Sequence, residues 1–302
     1  MTNLQSGDIL VFVAGDNWLS KCIAKLTDSN VSHAAMCYQD GTMVEMSSSG
    51  MVCSTCKEAS EGGDSAYLLR LNPDQDAAPL LAAAGAYLDE KVYYDYPDLV
   101  FFAGLIIYRA VRSTKRWQKI MDYILELACA QLDKMLNKLI HKDGKKAMVC
   151  SQLVYQIYLD CGEKYKIQIH DGLLQQENMM LSESEQVCLA ELAAERDAIS
   201  AENAVTADNF ASTELEDPDM EAVFKEFYGA MEEAGQEENC EMCAANDLNG
   251  LVDKTKNFLD KMEQILERAG IELPVRALFV APSDLLKADN LENKGTVQIT
   301  RD

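Results

Sequence analysis

The sequence predicts an α+β fold. Short apolar runs of strand type crowd the first seventy residues and return at the end of the chain. Between them, helical periodicity runs through long stretches that are poor in glycine and proline. A third sign is the turn chemistry, with Asp40-Gly41 and Asn72-Pro73 punctuating the first group of strands.

Taken in order, Gly7-Asp8 opens the strand-like run ILVFVA, and a helical stretch follows near Asn17 to Leu26. Residues 31 to 46, VSHAAMCYQDGTMVEM, read as two strands around a tight turn. SGMVCST and AYLLRL continue the strand signal, and Asp76 to Leu88 has helical spacing. From Asp98 to Ile140 the pattern is helical throughout, apolar in its first half and amphipathic in its second, until Asp143-Gly144 breaks it. Met148 to Cys161 predicts another helix, with Gly162 as its C-terminal stop. Residues 172–270 are rich in Ala, Glu, Leu and Met and read as helices joined by loosely ordered loops, especially around 200–220. The closing VRALFVAPSDLLKADNLENKGTVQI predicts a strand, a Pro-Ser-Asp helix start and a last strand. The simplest partition is one α+β domain, 1–171 with 271–302, carrying a helical insertion at 97–140. An acidic helical insertion occupies 172–270.

Length and composition fit a globular chain: 302 residues, 48% hydrophobic and 25% charged. The net charge of -23 is unusual and uneven. From Glu177 to Asp247 twenty acidic residues face only Arg196 and Lys225, whereas residues 109–146 hold ten Lys or Arg against four Asp or Glu. Nucleic acid is a poor partner for so acidic a chain, although 177–247 could take a basic protein partner and the basic stretch could meet that acidic segment. MTNLQSGDILVF lacks the features of a secretory signal, and Leu99 to Tyr108 is shorter than the roughly 20 residues that span a bilayer. Ten cysteines in that context point to free thiols in a reducing cytoplasm.

The residue with most chemical promise is Cys150 in KKAMVCSQLVYQIY. It falls at the first turn of the predicted helix, where unpaired N–H groups and the helix dipole favour thiolate over thiol. Lys145 and Lys146 would help in the same direction. A cysteine nucleophile also needs a base from elsewhere in the chain. A buried structural cysteine on an amphipathic helix is the competing reading. His33 is the candidate base, against the plainer reading of a polar strand-end residue; His141 and His170 look solvent-facing or incidental.

Glu45 poses a geometric question. With a two-residue loop, Asp40-Gly41, it would oppose Met36 and lie on the face away from His33. With a three-residue loop, Gln39-Asp40-Gly41, and Gly41 left-handed, Tyr38 pairs with Thr42 and Glu45 opposes Ala35. Glu45 then lies diagonal to His33 on one face, within reach of the ring. One residue of register decides whether Glu45 can orient the imidazole. The three-residue loop is the expectation.

GDILVF, SHAAM, the strand carrying Glu45, VCSQLVYQIY and APSDLL together resemble the circularly permuted branch of the papain-like NlpC superfamily, which includes lecithin retinol acyltransferase-like enzymes. The resemblance covers about 1–70, 145–165 and 272–300, and it implies a permuted papain-like fold, with a small antiparallel sheet or barrel packed on helices. It also implies a catalytic order of His, polar residue, Cys, which His33, Glu45 and Cys150 match. The implied activity is a cysteine hydrolase acting on an amide or ester bond through a thioacyl enzyme. Substrates would be small-molecule, peptide or lipid-like, with no cofactor and no metal. Residues 97–140 and the acidic insertion have no counterpart in that family.

Two rivals remain. Cys53-x-x-Cys56 and Cys240-x-x-Cys243 could supply a four-thiolate zinc site, or the first pair a redox site. A non-catalytic interaction protein could instead use the acidic helices to bind a basic partner. The aromatic group Tyr87, Tyr93, Tyr94, Tyr96, Phe101 and Phe102 could line an apolar cleft or simply form core.

Overall fold

The computed structural model describes residues 4–47, 50–59, 62–89, 98–109, 111–112, 115–141, 150–169, 186–193, 219–236, 249–269 and 275–301. They divide between two compact units. The first comprises 1–96, 144–179 and 276–302, and the second 97–143 and 180–275. The boundary differs from the one the sequence suggests, because 97–140 groups with the acidic helices rather than with the strands.

In the first unit the strands are β1 (Ile9–Val13), β2 (Val31–Cys37), β3 (Thr42–Ser47), β4 (Gly50–Thr55), β5 (Lys57–Glu58), β6 (Asp64–Leu71) and β9 (Leu291–Thr300). They form one antiparallel sheet in the order β4-β3-β2-β1-β6-β9-β5. The strands at the two ends of that order, β4 and β5, are consecutive in the chain and joined through Cys56, so the sheet curls into a half-barrel. Side chains alternate between two apolar clusters. Leu10, Phe12, Ala35, Cys37, Met43, Cys56, Ala66, Leu68, Val297 and Ile299 fill the concave side. Ile9, Val11, Ala34, Met36 and Val44 face the other way, against Leu153, Val154, Ile157 and Tyr158 of α5 (Cys150–Asp160) and Leu80, Ala84 and Tyr87 of α2 (Ala78–Asp89). β1 is buried on both faces, which is why ILVFV is a continuous apolar run rather than an alternating one.

The local signals explain most of these elements. Asn17 caps α1 (Trp18–Leu26), its Oδ1 accepting from the Ser20 N–H at 2.8 Å. Gly162, with φ of 89°, ends α5 by donating to the Leu159 carbonyl. In α8 (Pro282–Leu286), the Asp284 carboxylate accepts from the Ala281 N–H at 2.8 Å. VRALF departs from the expectation: Val275–Phe279 is a turn of 3-10 helix rather than a strand. So short and mostly apolar a run does not by itself separate the two.

The start of β1 is fixed by charge. Asp8 is 1% exposed, and Arg70 of β6 grips it with both arms of its fork, Nε to Oδ1 at 2.6 Å and Nη2 to Oδ2 at 2.7 Å. The Gln5 N–H adds a third bond to the same carboxylate at 2.7 Å. The Tyr158 hydroxyl donates to the Gly7 carbonyl close by, tying α5 to the same end of the sheet.

The second unit holds α3 (Asp98–Tyr108), α4 (Lys115–His141), α6 (Met220–Gln236) and α7 (Asn249–Ala269), with a two-stranded ladder of β7 (Val111–Arg112) and β8 (Gln186–Val187). The helix expected to run unbroken from Asp98 to Ile140 is therefore two helices. Val111 favours a strand, and Ser113-Thr114 is a helix-start signal just ahead of α4. Phe102 of α3 packs edge-on against Phe224 and Phe227 of α6, with ring centroids 4.8 and 5.0 Å away. Ion pairs between α4 and α7 run opposite to the expected polarity. Lys254 meets Asp122 at 2.8 Å and Glu126 at 3.2 Å, and Lys261 meets Asp133, so the cations come from the acidic region and the carboxylates from the basic one. Of the aromatic group, Tyr87 belongs to the first unit's core and Phe101 and Phe102 are buried in the second; Tyr93, Tyr94 and Tyr96 lie outside the described residues. No helix among the described residues is long and apolar enough to cross a membrane.

Candidate active site

The hairpin that carries the site has the three-residue loop. The Tyr38 N–H donates to the Thr42 carbonyl at 2.8 Å, and Ala35 stands opposite Glu45. Gly41 is left-handed at φ 71°, with Asp40 at φ 55° before it. Register then does what period-two alternation requires: His33, Ala35 and Cys37 share the concave face of the half-barrel with Met43 and Glu45. The His33 Nε2–H donates to Glu45 Oε2 at 2.7 Å.

Cys150 is the first residue of α5, and α5 packs against both β2 and β3. The Ser151 hydroxyl donates to the Val280 carbonyl, fixing the start of the helix to the segment that leads into α8. With Nε2 committed to Glu45, the other ring nitrogen is left for the Cys150 sulfur, with which His33 shares a hydrogen bond. Cys150, more than a hundred positions along the chain from the other two, thus joins them in one chain of contacts, Cys150 to His33 to Glu45.

The backbone supplies donors that the side-chain reading missed. Amides along β2 alternate in direction: Cys37 donates to Asp8 on the β1 side at 2.7 Å, and Tyr38 toward β3. The Ala34 N–H therefore points to the β3 side, but the β2–β3 register runs only from Ala35 to Cys37. Past that point the strands part, and the Ala34 N–H meets the Cys150 sulfur instead of a strand carbonyl. The Ser151 N–H, one of the orphan donors of the first helical turn, meets it too.

These contacts set the charges. Burial would raise the Cys150 thiol, but the His33 charge and hydrogen bond and the two N–H donors outweigh it and hold the pKa below the ordinary cysteine value. Burial likewise disfavours an imidazolium at His33, yet the Cys150 sulfur and then Glu45 hold its pKa up at about 9. At Glu45 the desolvation is overcome first by His33, then by the Ser54 hydroxyl and Arg301, which bring the carboxyl down to about 2. The shifts favour the charged form of each group: thiolate, imidazolium and carboxylate in series.

Of the remaining sequence candidates, none among the described residues enters this cluster. His141 closes α4 in the second unit, and His170, Lys145 and Lys146 lie outside the described residues. Cys53 is exposed while Cys56 is buried on the concave side, its sulfur 3.8 Å from that of Cys37. Cys240 and Cys243 lie outside the described residues, and among the described ones no group of His, Cys, Asp or Glu is arranged to hold a metal ion. Sequence reasoning also missed Ser54 and Arg301. Ser54 was findable in principle, since it opposes Met43 and so shares the Glu45 face by alternation. Arg301 carried no local signal.

Comparison with known proteins yields no match: no family model, no curated protein and no solved structure.

Proposed function

We propose that the chain is a cysteine hydrolase of the amidase or peptidase type, with Cys150 as nucleophile, His33 as general acid and base, and Glu45 as the residue that orients the ring. One observation carries the reading: the Cys150 sulfur, at a helix N-terminus, is hydrogen-bonded to an imidazole whose far nitrogen is held by a carboxylate at 2.7 Å. A buried structural cysteine needs none of this. The three-residue connection is the one a thiol nucleophile requires, with base and orienter in line.

The steps follow from the charges. The thiolate attacks the carbonyl carbon of an amide or ester, and the carbonyl electron pair moves onto oxygen. The Cys150 N–H, at the start of α5, is a donor for that oxyanion, and one such donor is typically worth about 3 kcal/mol. The His33 imidazolium gives its proton to the departing amine or alcohol as the carbon–heteroatom bond breaks, leaving a thioacyl enzyme. His33, now neutral, takes a proton from water, whose oxygen attacks the thioester, and thiolate and carboxylic acid are regenerated. An amine or alcohol in place of that water would make the same site an acyltransferase. Both outcomes fit the permuted papain-like reading of the strand and helix order.

An activity-based thiol probe tests the reading. Labelling should vanish in Cys150→Ala and fall about 10²-fold in His33→Ala, the usual scale of general acid–base catalysis. Labelling that survives Cys150→Ala, or that ignores His33→Ala, would refute it.

A further inference from the structure

Glu45 is held from more than one side. β1, β3 and β9 end, and β2, β4 and β6 begin, at one mouth of the half-barrel, and the His33–Glu45 pair sits in that mouth. Across the mouth, immediately after β9, comes Arg301. Its Nη1 lies 3.9 Å from Glu45 Oε2, and its Nε lies 3.3 Å from Asp64 Oδ2 at the start of β6. Its guanidinium carbon stands 4.6 Å from the centroid of the Phe12 ring. Phe12 is in turn a direct neighbour of His33, with ring centroids 5.7 Å apart, and stands opposite it in the β1–β2 register. One side chain thus touches both supports of the imidazole, the carboxylate on Nε2 and the aromatic ring alongside it.

We propose that Arg301 is a positioning residue of the site, clamping the Glu45 carboxylate from the far side of the barrel mouth and backing Phe12, so that His33 stays aimed at Cys150. The proposal rests on the hydrolase reading, since only a reacting Cys150 needs its imidazole so placed. Asp64 anchors the clamp from β6, so the guanidinium is shared between two carboxylates rather than drawn wholly onto Glu45. Arginine suits the task because its planar fork can face a carboxylate along an edge and an aromatic ring along a face at once. The Ser54 hydroxyl from β4 holds the same carboxylate without adding charge, so the two supports are separable.

The titratable and charged groups around Glu45 among the described residues are His33 from β2, Cys150 of α5 beyond the ring, Cys56 between β4 and β5, Asp64 of β6 and Arg301 itself. Removing Arg301 takes one positive charge from this set. The Cys150 thiolate then becomes harder to form, and Glu45 takes up its proton at a higher pH; both effects move the acid limb of thiol reactivity upward.

The test is the pH profile of Cys150 alkylation by iodoacetamide in the full chain, for the parent protein, Arg301→Ala and Arg301→Lys, with melting temperature recorded alongside. Arg301→Ala should alkylate up to about fivefold more slowly near the acid limb, in keeping with a partly exposed ion pair. Its limb should also lie about half a unit to one unit higher. Arg301→Lys, which restores charge without the fork, should return the limb most of the way and the rate only in part. A parent-like profile in Arg301→Ala overturns the clamp even if the protein melts earlier, because a merely structural arginine would shift melting alone. That failure is distinct from failure of the hydrolase reading, in which alkylation of the parent would itself ignore Cys150→Ala or His33→Ala.

Discussion

Two buried carboxylates sit at opposite ends of the same half-barrel, each bonded to a cation. Asp8, 1% exposed, takes the two-pronged grip of Arg70 and a backbone N–H; Glu45, 6% exposed, takes one bond from His33 and support from Ser54 and Arg301. The difference lies in the cation. A guanidinium does not lose its proton at any ordinary pH, so the Asp8 end can only hold the fold together. An imidazole can lose its proton, and its second nitrogen is still free to bind, so the Glu45 end can transmit charge to a third group. The third group is Cys150. Burial and pairing are common to both ends, so neither marks a site; the proposed site is where a pair has a titratable member with a thiol on its other side.

The comparison breaks most plainly at Arg70. Arg70→Ala leaves a buried carboxylate with one backbone donor, which should cost about 3–5 kcal/mol of unfolding free energy. Chemical denaturation at neutral pH would measure it. The thiol of the protein that remains folded should still react at the parent rate, because the Arg70 end does not touch Cys150. A loss of thiol reactivity in step with the first few degrees of destabilisation would mean that the two ends are not separable.

A second prediction concerns the His33 end, where the sign can be worked out. The thiolate persists above the lowered Cys150 value, and the ring stays protonated until about pH 9. Iodoacetamide, being neutral, should therefore label Cys150 at a steady rate once pH exceeds that lowered value. Iodoacetate is drawn in by the imidazolium and should lose that help as pH rises through about 9, dropping about tenfold relative to iodoacetamide. In stability terms the same groups pull in different ranges. His33, raised above its unfolded value of 6.5, stabilises the fold at acid and neutral pH and stops doing so above about 9. Glu45, lowered from 4.5, contributes above that value and loses its contribution as pH falls toward about 2. Parallel profiles for the two reagents across pH 9 would show that no imidazolium stands beside the sulfur.

These particulars also show where the sequence was readable. The hairpin register was legible because two local rules agree there: alternation over a short strand and glycine at the left-handed position of the loop. The helical run of α5 and its stop at Gly162 were legible for similar reasons of periodicity and capping. What escaped reading depends on distant neighbours. The short ladder of Val111–Arg112 with Gln186–Val187 splits a helix through a partner more than seventy residues away. Arg301 reaches Glu45 only because β9 pairs with β6 in a register that shifts between Tyr67 and Leu69. The Ala34 N–H finds its partner in Cys150, more than a hundred residues along the chain, which no pattern within the hairpin encodes.

The smallest expected effect joins the two ends. The Gly41 turn lies at the Asp8 end of the half-barrel, yet it sets the register that delivers Glu45 to His33 at the other. Its φ of 71° is a conformation that costs a side-chain-bearing residue roughly 1–2 kcal/mol, and a Cβ there would meet nothing nearer than the Cys56 carbonyl at 3.8 Å. The penalty for Gly41→Ala is thus torsional rather than steric, and a loss of about 1 kcal/mol in denaturation should follow. The alternative open to the chain is a slip to a two-residue loop, which relieves the turn but turns Glu45 to the opposite face and exchanges the buried side chains along β3. That slip would drive the Glu45 carboxylate in among the apolar side chains around Val44 and Met46, away from His33, and a buried charge that loses its partner costs about 3–5 kcal/mol, so the strain is the cheaper course. Gly41→Ala should accordingly keep the parent labelling profile. If labelling collapses while most of the stability remains, the register has slipped, and the turn at one end governs the chemistry at the other.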